Sequence, residues 1–146
     1  TLEIVATRDN QDYWLACKKA ILKIQPAIEV IVSIAIPHHK IKSMLQSAHL
    51  FVLPTEGENF GHAIFEALAV GCPILISDQT PWKNLQDKMA GFDLPLGDLS
   101  LFSQAIQSFV VMADDDWQKF RKGAHTLALE YEKKLIEDNA YSRLFN

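Results

Sequence analysis

Apolar positions in this chain alternate between two kinds of spacing from end to end. Leu2–Thr7 is short, apolar and β-branched and reads as a strand. Asp9–Ile24 then sets Tyr13, Trp14, Cys17, Ala20, Ile21 and Ile24 at helical spacing, with Asp9 or Asn10 as the cap and Pro26 as the stop. Glu29–Ile36 is a near-continuous apolar run, the pattern of a strand covered on both faces, and Pro37 punctuates it. His38–Ala48 returns to helical spacing on Ile41, Met44, Leu45 and Ala48. Leu50–Leu53 is a third short buried strand, stopped by Pro54. Phe60–Val70 predicts a helix, with Gly71 placed to cap its end and Pro73 just beyond. Pro73–Ser77 is a fourth strand. Thr80-Pro81 opens a predicted helix over Trp82–Met89. Gly91–Leu96 is a short edge strand, Leu99–Met112 a long amphipathic helix, and Trp117–Tyr131 and Ile136–Phe145 two further helices.

Buried strands alternating with helices mean parallel strands joined by helical crossovers. The expected fold is therefore α/β: a Rossmann-like, doubly wound parallel sheet with helices on both faces and extra helices at the C-terminus. The 146 residues suit a single domain spanning residues 1–146. In such sheets ligands bind beyond the carboxyl ends of the strands. The segments Ile36–Lys40, Pro54–Gly61 and Ser77–Trp82 each follow a predicted strand and fall there.

Composition narrows the function. Hydrophobic residues make up 49% of the chain, which fits a folded core, and the net charge of −4 gives no basic field for nucleic acid. No apolar run approaches the roughly 20 residues of a membrane helix. The opening Thr1-Leu2-Glu3-Ile4-Val5 does not resemble a secretory signal, and a strand-like start without an initiator methionine is expected of a piece cut from a longer protein. Cys17 and Cys72 read as small buried hydrophobes, in keeping with a reducing cytoplasm. The histidines have no zinc-like spacing to either cysteine, so no metal site is expected.

The chemistry concentrates in one stretch, Pro54-Thr55-Glu56-Gly57-Glu58-Asn59-Phe60-Gly61-His62, and the helix that follows. Ala63, Ile64, Ala67 and Leu68 share the face that packs on the sheet. His62 and Glu66 share another. The helix start offers unpaired N–H groups and a positive dipole end, and Gly57 and Gly61 let backbone approach a ligand. That is a seat for a diphosphate. Glu66 lies roughly 9 Å along the predicted helix axis. A carboxylate there repels phosphate but accepts paired hydrogen bonds from a vicinal diol such as a ribose. Glu58 precedes the helix, where it can bind sugar hydroxyls or stabilise positive charge at an anomeric carbon. The same spacing also fits a plainer role, with Glu58 favouring the helix dipole and Glu66 on a solvated face. His62 either reaches the same ligand or hydrogen-bonds locally.

These residues resemble a known family. Glu58 to Glu66 matches the E-x7-E signature of retaining GT-B glycosyltransferases, glycosyltransferase family 4 (group 1). Ala48-His49-Leu50-Phe51-Val52-Leu53-Pro54-Thr55 resembles the strand and loop before that signature. Glu66-Ala67-Leu68-Ala69-Val70-Gly71-Cys72-Pro73-Ile74 resembles the E-A-L-A-x-G-x-P-V segment after it. The likeness covers about Ile34–Leu96 and the flanks follow in pattern only. It implies the C-terminal, donor-binding half of a two-domain enzyme whose N-terminal acceptor domain is not in this chain, and hence a domain inactive alone. The implied activity is retaining transfer of a hexosyl group from a UDP- or GDP-linked sugar to a glycan or lipid acceptor, without metal and with the donor's phosphate helping as base. Polysaccharide biosynthesis in the cytoplasm, at the inner face of the membrane, is the implied setting. Glu58 would then be the catalytic residue at the donor sugar. The backbone of Asn59, Phe60 and Gly61 would meet sugar and diphosphate, His62 would lie beside the donor, and Glu66 would hold the ribose. Ile36 and Pro37 would lie near the base and Thr55 near the nucleoside. A stand-alone nucleotide-sugar-binding module is the alternative, and an unrelated Rossmann-type domain with structural glutamates a third.

The chain departs from the family at three places. No R-x4-K-G-like stretch is present to neutralise a diphosphate, and Arg8 is a poor substitute. Ala35 stands where glycine is common, and Gln79-Thr80-Pro81-Trp82 replaces a frequent Gly-Gly. There Trp82 is either a packing residue or faces the cleft. Asp114-Asp115-Asp116 superficially resembles a D-x-D metal motif, but its place before a helix pattern reads as capping and dipole stabilisation. His38-His39 reads as an exposed pair at a helix start, and Glu130, Glu132, Lys133 and Lys134 as a solvated face.

Overall fold

The computed structural model describes residues 1–6, 10–24, 28–34 and 36–144. Its elements run β1 (Leu2–Val5), α1 (Gln11–Ile21), β2 (Val30–Ser33), α2 (His38–Ser47), β3 (Phe51–Leu53), α3 (His62–Ala69), β4 (Ile74–Ser77), β5 (Gly91–Leu94), α4 (Leu99–Val110) and α5 (Asp114–Leu144). The strands form parallel sheets flanked by helices, a Rossmann-like α/β arrangement. By contacts the chain divides into two compact units, Thr1–Ile41 and Lys42–Asn146.

In the first unit β1 and β2 pair in parallel, Leu2 opposite Val30 and Val5 opposite Ser33. Asn10 caps α1, its Oδ1 accepting the Tyr13 N–H at 3.0 Å. The alternative cap Asp9, the end of the predicted first strand at Thr7 and the stop at Pro26 lie outside the described residues. Leu2, Val5, Ile31 and Ile34 are exposed, unlike a strand covered on both faces. Two strands and one helix cannot shield both sides of a sheet within this unit.

In the second unit the parallel order is β3-β4-β5. β4 is central and every one of its residues is buried, whereas β3, at the edge of the order, is only half-buried with Val52 exposed, unlike the buried strand expected there. Leu75 on β4 packs with Phe102 and Ala105 of α4, and Phe92 and Leu94 of β5 close around them. α3 buries Ile64, Ala67 and Leu68, three of the four residues anticipated from its spacing, while Ala63, in the first turn of the helix, is exposed. α5 buries Phe120, Ala124, Leu127 and Ala128, and Phe120 meets Phe109 of α4 edge-on at 5.1 Å between ring centres.

Three predicted elements differ. The helix expected over 82–89 is irregular at 82–84 and a run of turns over 85–89. Asn84 and Met89 adopt left-handed φ of 56° and 51°. The Asp93 carboxylate accepts the N–H groups of Asn84 and Leu85 at 3.2 and 2.9 Å, so a side chain replaces the helical ladder. The two C-terminal helices are one, α5, because the intervening Glu132-Lys133-Lys134-Leu135 are all good helix formers. It starts at Asp114, so the three aspartates lie in its first turn beside the positive dipole end. Finally, α3 begins at His62, two residues later than expected, because Gly61 is left-handed with φ 76°. At its other end Gly71, φ 74°, closes a Schellman turn: Cys72 N–H donates to Ala67 C=O and Gly71 N–H to Leu68 C=O, both at 2.9 Å. No helix among the described residues is long and apolar enough to cross a membrane.

Candidate functional site

The segment from β3 to α3 is held at the carboxyl end of the sheet by hydrogen bonds both local and distant in sequence. Thr55 N–H donates to Leu53 C=O at 2.9 Å, turning the chain as the strand ends. The Thr55 hydroxyl donates to Gly57 C=O at 2.9 Å and accepts the Gly57 N–H at 3.3 Å. The hydroxyl of Ser77, the buried last residue of β4, donates to the Thr55 carbonyl and accepts the Gln79 N–H. Glu58 N–H donates to Gln79 C=O at 3.3 Å. Two adjacent parallel strands thus fix the loop between them, as their order requires.

A second anchor lies further along. The Trp82 indole Nε1–H donates to Phe60 C=O at 2.8 Å, and the indole is 3% exposed. Phe60, Phe65, Trp82 and Tyr131 make one aromatic cluster, with Trp82 and Tyr131 ring centres 4.7 Å apart. Trp82 is therefore a packing residue, not a cleft-facing one. The His62 ring lies 4.7 Å from that of Phe60.

Above this cluster is a solvent-open hollow of about 540 Å³ lined by Gly57, Glu58, Asn59, Phe60, Gly61, His62 and Gln79. Its size lies within the roughly 300–1,000 Å³ of small-molecule sites. Gly61 is the N-cap of α3 and carries no capping side chain, so the first N–H groups of the helix are left for water or a ligand. Its φ of 76° and the 2.8 Å that would separate an added Cβ from Ile64 Cδ1 both require glycine. No such constraint holds at Gly57, where an added Cβ meets nothing within 4 Å.

The structure brings five of the anticipated residues together: Glu58, Asn59, Phe60, Gly61 and His62. Thr55 shapes the loop through its hydroxyl but does not line the hollow. Glu66 is half-buried on α3, one turn beyond His62 and outside the lining set. Because α3 starts late, Glu66 sits roughly 6 Å along the axis, not 9. Ile36 and Pro37 belong to the first unit, where Pro37 C=O accepts the Lys40 N–H at 2.8 Å at the start of α2. Sequence reasoning missed Gln79 as a lining residue and Ser77 as the link between strand and loop. The available signal was polar side chains at the carboxyl end of a buried strand, in the place of the family's Gly-Gly.

A larger hollow of about 760 Å³ lies between α1 and β1 in the first unit, but its walls, among them Ile4, Cys17, Ile21 and Ile24, are apolar and offer no acid, base or nucleophile array. Among the described residues no group of three or more His, Cys, Asp or Glu could hold a metal ion.

No curated protein sequence matches this chain. The model of one family, glycosyl transferases group 1, matches residues 9–92, more than half of the chain. That span runs from the start of α1 to β5 and includes the whole loop, α3 and the turns that carry Gln79 and Trp82. The chain therefore belongs to the glycosyl transferases group 1 family.

Proposed function

We propose that this chain is the donor-binding half of a retaining glycosyltransferase of family 4, and that it holds a UDP- or GDP-linked sugar at the hollow before α3. The observation that supports this reading is the left-handed Gly61 cap, which leaves the start of α3 without a capping side chain beside a polar hollow lined by Glu58, Asn59 and His62. The diphosphate accepts those N–H groups and gains from the positive dipole end, with no metal ion. Glu58 contacts the donor sugar and stabilises positive charge as the anomeric bond opens, while the donor's phosphate serves as base. Glu66, a turn further along α3, accepts both ribose hydroxyls. Thr55 borders the nucleoside, and Ile36 and Pro37 border the base.

In this reading an N-terminal acceptor domain of the same protein closes the cleft and excludes water, so this half alone transfers no sugar. The donor is cytoplasmic, the free thiols Cys17 and Cys72 fit that compartment, and a glycan or lipid acceptor brings the enzyme to the inner face of the membrane for polysaccharide synthesis. One observation favours the alternative of a binding module without transfer: among the described residues no lysine or arginine lines the hollow to neutralise a leaving diphosphate.

Calorimetric titration with UDP, GDP and their sugars, against uridine and guanosine, tests the reading. The diphosphates should bind more tightly than the nucleosides, and Glu66→Ala should weaken nucleotide binding by about tenfold or more. Equal weak binding of all ligands would remove the diphosphate seat, and unchanged affinity in Glu66→Ala would remove the ribose role. Sugar transfer by the chain joined to its acceptor domain separates enzyme from module.

A further inference from the structure

The opposite end of α3 carries a second polar hollow, of about 510 Å³, whose ionisable lining among the described residues is entirely basic: Lys42 from α2, and Arg121, Lys122 and His125 from α5, with Gln46 and Gln118 beside them. We propose that this hollow binds a phosphate group. The claim is independent of the donor site, which lies at the other end of the same helix.

Gln118, Arg121, Lys122 and His125 fall at helical offsets that share one face of α5, and Lys42 and Gln46 share one face of α2. Two of the basic groups are held in place. Arg121 donates to Val70 C=O at 3.4 Å and lies 5.0 Å from the centre of the Trp117 ring. His125 Nδ1 meets Ala69 C=O at 3.0 Å. Those carbonyls end α3, so stabilising the negative dipole end accounts for Arg121 and His125. It does not account for Lys42 and Lys122, which reach neither carbonyl. Among the described residues no carboxylate pairs with any of the four. Like charges gathered around one hollow, in a chain of net charge −4, repel each other unless an anion joins them. The rest of the Arg121 fork and the exposed ammonium groups of Lys42 and Lys122 match phosphate oxygens. The phosphate could belong to a soluble phosphorylated molecule or a lipid headgroup, and both present the same oxygens.

The test is titration of the full chain with sodium phosphate and pyrophosphate at constant ionic strength, followed by amide NMR, for wild type and the Lys42→Ala/Lys122→Ala double variant. Both lysines are exposed, so the variant keeps its core. Saturable shifts at Gly71, Gln118 and Lys122, weakened about tenfold in the variant, are expected. Linear or absent shifts, saturable shifts confined to 61–64, or equal binding by the variant would overturn the proposal. Sedimentation with phosphatidylglycerol-containing vesicles, against phosphatidylcholine alone, identifies the source. Lysine-dependent sedimentation means a lipid headgroup, and saturable phosphate binding without sedimentation means a soluble ligand.

Discussion

Trp82 and Phe60 are 22 positions apart in sequence, yet the indole N–H of one donates to the backbone carbonyl of the other at 2.8 Å. The bond lies beside the left-handed Gly61, so the loop's exit into α3 depends on a residue from the next strand connection. Trp82→Phe keeps most of the ring packing against Tyr131 and removes the donor. The Phe60 carbonyl then loses its partner, at a cost of about 1–3 kcal/mol. Urea unfolding should register that loss and nucleotide titration a weaker affinity. Unchanged values in both would show that the bond positions nothing.

Gly61 and Gly57 flank the same hollow and respond differently to one added methyl group. Gly61→Ala forces φ of 76° on an L residue and crowds Ile64, at a cost of about 1–3 kcal/mol. Gly57→Ala meets open space and should change stability by less than about 0.5 kcal/mol. Thermal unfolding of the two variants checks the contrast. Equal midpoints would contradict the backbone geometry assigned to the helix start.

Burial pushes the Cys72 thiol up to about 11, a rise that the nearby Arg121 charge only partly offsets. Its folded value is raised, so its contribution to stability is complete below the ordinary thiol range and is lost as pH climbs toward 11. Cys17 is only half-buried. At mildly alkaline pH a disulfide reagent should label Cys17 quickly in the folded protein and Cys72 only on unfolding. Two equally fast thiols would refute this.

Asp98 caps α4 by accepting the Ser100 hydroxyl at 2.6 Å and the Ser100 N–H at 3.0 Å. Chiefly through the hydroxyl, these bonds hold its carboxyl below the usual carboxylate range. A lowered folded value means stability that is present above the ordinary carboxylate pKa and lost as pH falls through the folded one. Melting temperature measured against pH should fall less steeply on the acid side in Ser100→Ala than in wild type. Parallel curves would contradict the cap's charge dependence.

Much of this structure is legible in local pattern. The buried face of α3, the Gly71 cap and the fully buried β4 follow from spacing and from one residue that tolerates positive φ. The five residues at the hollow are contiguous, so a short motif finds them. What stays hidden is set by contacts distant in sequence. The Asp93 carboxylate unmakes a helix at Asn84 and Leu85 that Thr80-Pro81 predicts from local signals. Trp82 and Ser77 reach the loop only because β4 lies beside β3. The exposure of Ile31 and Ile34 is likewise invisible to periodicity, since an apolar run reads the same whether or not anything covers it.

The central claim is that a nucleoside diphosphate sits on the N-terminus of α3. Residue-resolved amide shifts on adding UDP or GDP test it most directly. Saturable shifts centred on Glu58, Gly61, Ala63 and Ile64, larger for the diphosphates than for the nucleosides, are predicted. Saturable shifts confined to other parts of the chain, or none at these amides, would contradict it.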